Sequence, residues 1–381
     1  MRTVVMVGAG ASCEGPGVFH FEKAESDQAE RSNSFGVEEA ISFGVDGAGG
    51  FYIGNGGVRS NGDYMTRKTG NPPLGKGVLA ALAEEHEDYW GESVQEYFGK
   101  FPSDFEKGME LMYRSMWVDG SEDQKNRFSY SILLMAEYFS RWNCYRDTFY
   151  ARLLTQLIQN DLISTSGDNS STTFVSLNYE NLLERAIFDA GIFVLHHSRK
   201  DTRRENSVPV WKPHGSSNFV ASAVTGTSRY PTEEDLDGGF HPENRDALQN
   251  YLRRMRSALE ERMKEKLITG NALPPLIAMS LYMPDKPTIV GRTAIDSIRD
   301  SYRRDIEAAD LLIMIGVRPV LDDHRLFDPV LIGPKRILYI GRVTQDWERR
   351  EFEDFRSGCK GSVEHVANTF EEALNRGVFH A

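Results

Sequence analysis

The sequence predicts an α/β protein with a doubly wound, Rossmann-type parallel sheet and an inserted helical subdomain. The first apolar run, residues 4–7, is rich in β-branched residues and ends in a glycine-rich turn, as a buried parallel strand does. Further short apolar runs alternate with helical stretches, which predicts a parallel sheet covered on both faces. The 381 residues suffice for two or three domains at roughly 150 residues each.

The predicted elements follow in order from the N-terminus. Each strand is a short apolar or β-branched run, and each helix repeats apolar positions every three or four residues. After the first run, strands are predicted at 173–177, 192–195, 209–211, 276–279, 311–315 and 337–340. Helices are predicted at 180–190, 292–307 and 370–376. These elements assign the parallel sheet to residues 1–14 and 163–381.

Two segments interrupt this alternation. Residues 15–75 are rich in glycine, serine, asparagine and acidic residues, which predicts either a lid over the glycine-rich turn or a surface extension. Residues 76–162 carry apolar and aromatic residues at helical spacing and predict the inserted helical subdomain. Between residues 98 and 158 the apolar positions outnumber those of one inward stripe, which predicts an interface. Burial of all of them against the sheet is the alternative.

The composition indicates a soluble, cytoplasmic protein. The formal charge is −12, from 44 basic and 56 acidic residues, and this argues against direct binding to nucleic acid. No apolar run approaches the ~20 residues of a membrane span, and the N-terminus lacks the pattern of a signal peptide. The three cysteines lie far apart in sequence, so neither a disulfide framework nor a four-cysteine zinc site is expected, and no metal is predicted.

Three motifs place polar groups at predicted strand ends, where ligands bind in open α/β sheets. The first is a glycine loop whose backbone N–H groups suit a phosphate; it comprises Gly8, Ala9, Gly10, Ala11 and Ser12. The second is Asn178, followed by Tyr179 and Glu180, for which helix capping by the asparagine is the alternative. The third is His214, on a turn between a proline and a glycine. Histidine, with an ordinary pKa of ~6.5, suits a general base at neutral pH.

In this order, the three motifs resemble the NAD site of the sirtuin family. The likeness extends to the apolar run 311–315 with its glycine turn, which resembles the adenosine side of that site, and to the strand 337–340. It covers residues 1–14 and about 170–345. The resemblance implies that Asn178 and His214 are catalytic. It also implies that NAD contacts the glycine loop and Tyr179, Glu180, Gly316, Val317 and Gly341.

The chain departs from sirtuin deacylases in a way that changes the expected reaction. Those enzymes carry a four-cysteine zinc ribbon after the His-Gly turn, whereas this chain has no cysteine between Cys144 and Cys359. It looks more like the bacterial sirtuin-like branch that hydrolyses NAD in anti-phage defence. The resemblance therefore implies an NAD glycohydrolase with NAD as substrate, releasing nicotinamide and ADP-ribose. It further implies a homo-oligomer that works with a separate ATPase or sensor protein, such as a motor of the HerA type.

Three other functions stay open on the sequence alone. A zinc-free protein deacylase would use the same site, because water and an acyl-lysine attack the same ribose carbon. A non-catalytic subunit that senses NAD or ADP-ribose would bind the ligand with the same residues. A nuclease component is supported only by the arginine-rich stretch 252–266, and the net charge of −12 is unfavourable for it.

Overall fold

The computed structural model describes residues 1–8, 11, 18–23, 42–45, 51–54, 59–60, 63–69, 105–144, 148–163, 172–196, 206–220, 245–264, 277–280 and 290–379. Its strands are β1 Thr3–Val7, β2 Val18–Lys23, β3 Ser42–Val45, β4 Phe51–Gly54, β5 Arg59–Ser60, β6 Asp63–Thr69, β7 Asn143–Cys144, β8 Thr172–Ser176, β9 Phe193–Leu195, β10 Ser207–Trp211, β11 Gly215–Val220, β12 Ile277–Met279, β13 Leu311–Ile315, β14 Arg336–Ile340 and β15 Ser362–Ala367.

The helices of the described residues are α1 Phe105–Met112, α2 Glu122–Arg141, α3 Phe149–Gln159, α4 Leu182–Asp189, α5 Arg245–Lys264, α6 Arg292–Glu307, α7 His324–Ile332, α8 Asp346–Gly358 and α9 Phe370–Arg376. A π-helical segment, Tyr113–Val118, joins α1 to α2. In the part of the chain that the structure describes, no helix combines the length and apolar character that a membrane crossing requires.

The centre of the fold is a parallel sheet of seven strands in the order β15-β14-β13-β1-β8-β10-β9. Every pairing within it is parallel. The chain passes from β1 to β8 on one side and later returns to β13 on the other, so the strand order reverses at β1. This arrangement confirms the predicted Rossmann-like α/β class. Open α/β sheets bind ligands in a crevice at such a reversal, which in this sheet lies at the carboxyl ends of β1, β8 and β13.

Helices cover both faces of the sheet. Alternate residues of each strand point to opposite faces, and the apolar side chains on each face pack against helices. Val5 and Val7 of β1 belong to one core cluster, together with residues of α2, α3, α4, α5 and α9. Val4 and Met6 belong to a second cluster with residues of α6, α7 and α8. The fully buried β1 is therefore packed on both sides, as its unbroken apolar run predicts.

The helical region between residues 105 and 163 belongs to one of these two covering layers. Its apolar side chains are buried, among them Met109, Met112, Met116, Phe128, Leu133, Leu134, Leu153, Leu154 and Leu157. Of its described large apolar residues, Val118 is exposed. The surplus of apolar surface predicted between 98 and 158 is therefore absent from the described part, because the helices pack on the sheet and on each other. The proposed domain boundaries at residues 14, 75 and 162 stay predictions.

Two sequence expectations about the sheet are corrected. The strand predicted at 276–279 was expected in the parallel sheet, but β12 pairs antiparallel with β11 in a separate two-stranded sheet. Strand β15, which the sequence analysis did not predict, forms one edge of the parallel sheet. Its polar and apolar residues alternate and its first four are not buried, so it lacks the apolar run of a central strand. The segment 15–75 contains strands β2 to β6, and whether it is a lid or an extension stays open.

Candidate functional site

The residues of the predicted motifs meet at the carboxyl edge of the sheet. The side-chain amide of Asn178, beyond β8, donates from Nδ2 to the backbone oxygen of Gly8, beyond β1, over 3.1 Å. The ring nitrogen Nδ1 of His214, beyond β10, lies 3.4 Å from the backbone oxygen of Leu177. A Cβ added to Gly8 would lie 2.6 Å from the backbone oxygen of Gly316, beyond β13. The structure thus brings Gly8, Asn178, His214 and Gly316 together at this edge of the sheet, at the crevice position.

The N–H groups of the glycines at the site donate within the sheet, and at Gly8 the absence of a side chain allows neighbouring strand ends to approach each other closely. The N–H of Gly8 donates to Ile315 over 2.9 Å, and that of Gly316 donates to Ile340 over 2.9 Å. The N–H of Gly341 donates to Ala367 over 3.1 Å, one strand farther along the edge. These bonds extend the ladder of the sheet, so the N–H group of Gly8 is already used within the protein. The predicted contacts of Gly8, Gly316 and Gly341 with NAD stay predictions.

The rest of the predicted glycine loop is only partly described. Ala11 is buried, and its N–H donates to the backbone oxygen of Gly8 over 3.0 Å. Ala9, Gly10 and Ser12 lie outside the described residues. Val317 is buried, and its Cγ2 would lie 3.0 Å from a Cβ on Gly8. The Val317 side chain therefore packs against the first residue of the loop.

Asn178 does not cap a helix, so the alternative role considered for it is wrong. Helix α4 begins at Leu182, and the carboxylate of Glu180 accepts the N–H of that residue over 2.7 Å. Asn178 is 7% exposed, and its own N–H donates to the Ser176 hydroxyl over 3.3 Å. Its side chain reaches across the sheet to β1, and therefore links two neighbouring strand ends.

Tyr179 and Glu180 are engaged within the protein. The Tyr179 hydroxyl donates to the backbone oxygen of Ser280, and its ring packs against Phe139 with centroids 5.6 Å apart. Glu180 is buried and uses its carboxylate at the start of α4, as described above. Both residues thereby position the segment that follows β8, and their predicted contact with NAD stays a prediction.

The turn that carries His214 requires a glycine. Gly215 has φ +78°, in the left-handed region, and a Cβ there would lie 2.0 Å from the backbone oxygen of Ala278. The N–H of Gly215 donates to Lys212 over 2.8 Å, which closes the turn. The backbone oxygen of His214 accepts the N–H of Ser280 over 2.7 Å. The turn is therefore held between β10 and the strand β12.

Arg299 of α6 holds the same turn from the other side. Its Nε donates to the backbone oxygen of Pro213 over 3.0 Å, and its Nη2 donates to the Ser280 hydroxyl over 2.8 Å. Burial lowers the pKa of the Arg299 guanidinium, while the carboxylates of Asp296 and Asp323 act in the opposite direction. This arginine was not among the predicted site residues, because nothing in its local sequence separates it from other helix arginines.

Asp323 is a site residue that the sequence analysis missed. It precedes α7 in the loop after β13, and its Oδ2 lies 3.8 Å from Nε2 of His214. The two side chains are 9% and 11% exposed. The Leu177 carbonyl can only accept, so this contact favours the tautomer with the proton on Nδ1 of His214, and in that tautomer Nε2 is the basic nitrogen that faces Asp323. A carboxylate shortly after a strand end is the signal that indicates such a residue.

Two comparisons of the sequence found no match. No protein-family model matches the chain, and no curated protein sequence matches it. Among the residues that the structure describes, no three His, Cys, Asp or Glu side chains are grouped so that they could hold a metal ion. The geometry of the crevice, together with the sequence motifs, is therefore the basis for a functional proposal.

Proposed function

We propose that this protein is an NAD glycohydrolase, which cleaves NAD to nicotinamide and ADP-ribose. The observation that supports the proposal is the placement of Asn178 and His214 beside the close approach of Gly8 to Gly316. This crevice lies where the strand order reverses, the position at which dinucleotides bind in open α/β sheets. The resemblance of the same motifs to the sirtuin NAD site is the second support.

In the proposed reaction, the bond between C1′ of the ribose and the nicotinamide nitrogen breaks, and its electron pair leaves with nicotinamide. Positive charge develops on the ribose as an oxocarbenium-like species. The oxygen of a water molecule forms the new bond to C1′, and a proton of that water passes to a base. NAD and water thereby give nicotinamide, ADP-ribose and one proton.

His214 is the proposed base. Its Nδ1–H points to the Leu177 carbonyl, so Nε2 takes the proton from water, either directly or through a ribose hydroxyl. The imidazolium that forms then faces the Asp323 carboxylate, whose Oδ2 lies 3.8 Å from Nε2. The negative charge of Asp323 stabilises that cation, and the low exposure of both groups limits screening by water.

Asn178 is the proposed orienting group. Its bond to the Gly8 backbone oxygen sets the plane of the side-chain amide. The amide oxygen then orients the attacking water or a ribose hydroxyl, which is the part of catalysis that depends on position and not on proton transfer. A base and an orienting group at neighbouring strand ends are the two polar functions that the reaction needs.

The wider role is proposed from the resemblance alone. We propose depletion of NAD in anti-phage defence, by a homo-oligomer that works with a separate ATPase or sensor protein of the HerA type. The arginine-rich stretch that suggested a nuclease is partly used inside the protein. Arg256 donates to the buried carboxylate of Glu137 over 3.0 Å, whereas Arg253 and Arg254 are exposed.

The test is nicotinamide release from NAD alone, measured by chromatography with the purified chain and with the chain in cell extract. His214→Ala and Asn178→Ala should each lower the rate by ~10² to 10⁴-fold while the melting temperature stays close to that of the wild type. His324→Ala is the matched control, because this histidine is 77% exposed and should leave the rate unchanged.

The outcomes separate the candidate functions. Turnover that requires an acylated peptide would indicate a deacylase, and tight binding of NAD or ADP-ribose without turnover in either preparation would indicate a sensing subunit. A folded His214→Ala protein with the wild-type rate would contradict the assignment of the base.

A further inference from the structure

A buried ion pair lies beneath the crevice, and the proposed reaction does not use it. The Nζ of Lys212, one residue beyond β10, lies 2.6 Å from Oε1 of Glu184 on α4. Both side chains are 0% exposed. The same ammonium also donates to the backbone oxygen of Glu180 over 2.7 Å and to the side-chain oxygen of Asn181 over 3.3 Å. Lys212 therefore binds three acceptors on the segment that follows β8.

This pair is poorly suited to stabilising the fold. Removing two charges from water costs about as much free energy as their attraction returns, and apolar replacements of buried pairs are often neutral or stabilising. Burial raises the pKa of the Glu184 carboxyl, and the charge of Lys212 opposes that effect. Among the described residues, Oε2 of Glu184 has no hydrogen-bond partner. An arrangement selected for stability alone would satisfy that oxygen.

The position of the pair suggests a different role. Lys212 lies two residues before His214, and its acceptors begin two residues after Asn178. The two segments are joined again beside the pair, where the N–H of Ser217 donates to the backbone oxygen of Tyr179 over 3.0 Å. The Ser216 hydroxyl also donates to the side-chain oxygen of Asn181, over 2.9 Å. The charged pair and these bonds connect the strand end that carries the imidazole to the one that carries the amide.

We propose that Lys212 and Glu184 are a positioning pair, which sets the distance and orientation of His214 relative to Asn178. An ammonium with three directional donors and three fixed acceptors allows one arrangement of the two segments, whereas apolar contacts allow sliding. The catalytic consequence rests on the proposed NAD hydrolysis. The geometric consequence, a fixed register between the segments 212–217 and 178–184, does not.

The experiment replaces the pair by apolar side chains of similar size. Lys212→Met alone leaves a buried carboxylate without its counter-charge and should lower the folding equilibrium constant by about 10²- to 10³-fold. The double variant Lys212→Met with Glu184→Leu removes both charges and should return the unfolding midpoint to near that of the wild type. The matched control is Arg185→Gln with Asp189→Asn, which removes a partly exposed pair from the same helix.

Two readouts are measured on these proteins. The amide exchange of Ser217 reports the joint between the segments without any ligand, and it should be faster in the double variant than in the wild type and the control. The steady-state kinetics of nicotinamide release should show kcat lower by about 10²-fold with KM nearly unchanged, since misplacement of reacting groups affects the chemical step.

The outcomes decide the proposal in every case. A double variant with wild-type Ser217 exchange overturns it, and so does one with wild-type kcat if the wild type hydrolyses NAD. A double variant as unstable as Lys212→Met also overturns it, because the pair would then serve stability. A wild-type chain that releases no nicotinamide, alone or in extract, would refute the proposed function, while the Ser217 exchange would still decide the positioning role.

Discussion

On one side of the site, the ends of β1, β13 and β14 approach each other through backbone, and glycines keep the space between them clear. On the other side, the ends of β8 and β10 are joined by side chains. There Lys212, beyond β10, binds Glu184, beyond β8, within the interior. Asn178, also beyond β8, reaches Gly8 of the first side. On the first side, Gly8, Gly316 and Gly341 donate their N–H groups within the sheet, and a Cβ on Gly8 or Gly341 would lie too close to its neighbours.

The difference indicates that the two sides are sensitive to different kinds of substitution. Close approach of neighbouring atoms at Gly8 and Gly341 leaves no room for added atoms, so an extra methyl group is the substitution that tests the glycine side. The side-chain side depends on directed polar contacts, so removal of one polar group tests it. The His214 turn combines both requirements, because Gly215 must have no side chain while its neighbour carries the imidazole.

Gly215→Ala should have the largest effect, since it imposes both a strained φ of +78° and a Cβ 2.0 Å from the Ala278 oxygen. We expect the free energy of unfolding to fall by about 4 kcal/mol and NAD turnover to be lost. Gly377→Ala is the control, because its φ is +61° with nothing within 4 Å of the added atom, and it should cost about 1 kcal/mol. Denaturant unfolding of both proteins measures the difference. Equal losses of unfolding free energy in Gly215→Ala and Gly377→Ala would contradict the role given to the Ala278 contact.

Gly8→Ala should have the next largest effect, and it tests the glycine side alone. The added Cβ would lie 2.6 Å from the Gly316 oxygen, so the two strand ends must separate. We expect a loss of roughly 1–3 kcal/mol in unfolding free energy, less than for Gly215→Ala. A rise in KM for NAD larger than the fall in kcat would accompany it if this side binds the dinucleotide. Unchanged stability would mean that the close approach is easily relaxed.

Asp323→Asn tests the side-chain side by removing a charge at nearly constant shape. If the carboxylate stabilises the imidazolium of His214, kcat should fall by about 10-fold, and KM should change little. Asp322→Asn is the matched control, because the neighbouring aspartate is exposed. Nicotinamide release by the two variants is compared at one pH. A fall of the same size in both would point to the net charge of the loop instead of the contact with His214.

Glu348→Gln should have the smallest effect, and it lies on the glycine side beyond β14. Its Oε2 accepts the N–H groups of Gln345 and Thr344, each over 2.9 Å, at the start of α8. These bonds, that from Gln345 above all, lower the pKa of the Glu348 carboxyl from its ordinary 4.5. A carboxyl with a lowered pKa in the folded state stabilises the protein above pH 4.5, and this contribution disappears as the pH falls through the folded-state pKa.

We therefore expect Glu348→Gln to melt below the wild type at pH 7, and the gap to narrow as the pH falls below 4.5. Thermal melts across this pH range provide the measurement. Glu353→Gln, an exposed position on the same helix, serves as control and should give a small gap with little pH dependence. A difference in melting temperature between Glu348→Gln and the wild type that widens in acid would contradict the lowered pKa of Glu348.

Local pattern predicted the central strands and helix α6 with little error. The helix expected at 292–307 is α6 with the same bounds, and the strand expected at 311–315 is β13 with the same bounds. An unbroken apolar run and a 3.6-residue repeat are properties of a few neighbouring residues, so they are visible without the fold. Helices α7 and α8 were not predicted, and α7 contains Pro329, a residue that argues against a helix when sequence alone is considered.

The amino-acid sequence by itself determined which strand ends carry Gly8, Asn178, His214 and Gly316, because turn chemistry follows each apolar run directly. Only the tertiary structure decided what these groups meet. Lys212 and Glu184 are 28 residues apart in sequence. His214 follows β10 and Asp323 follows β13, and these two strands are separated in the sheet by β8 and β1. No local pattern encodes such pairs, because they depend on the order in which the sheet assembles its strands. The same order used the N–H group of Gly8 within the sheet, although its sequence had suggested a donor for a phosphate.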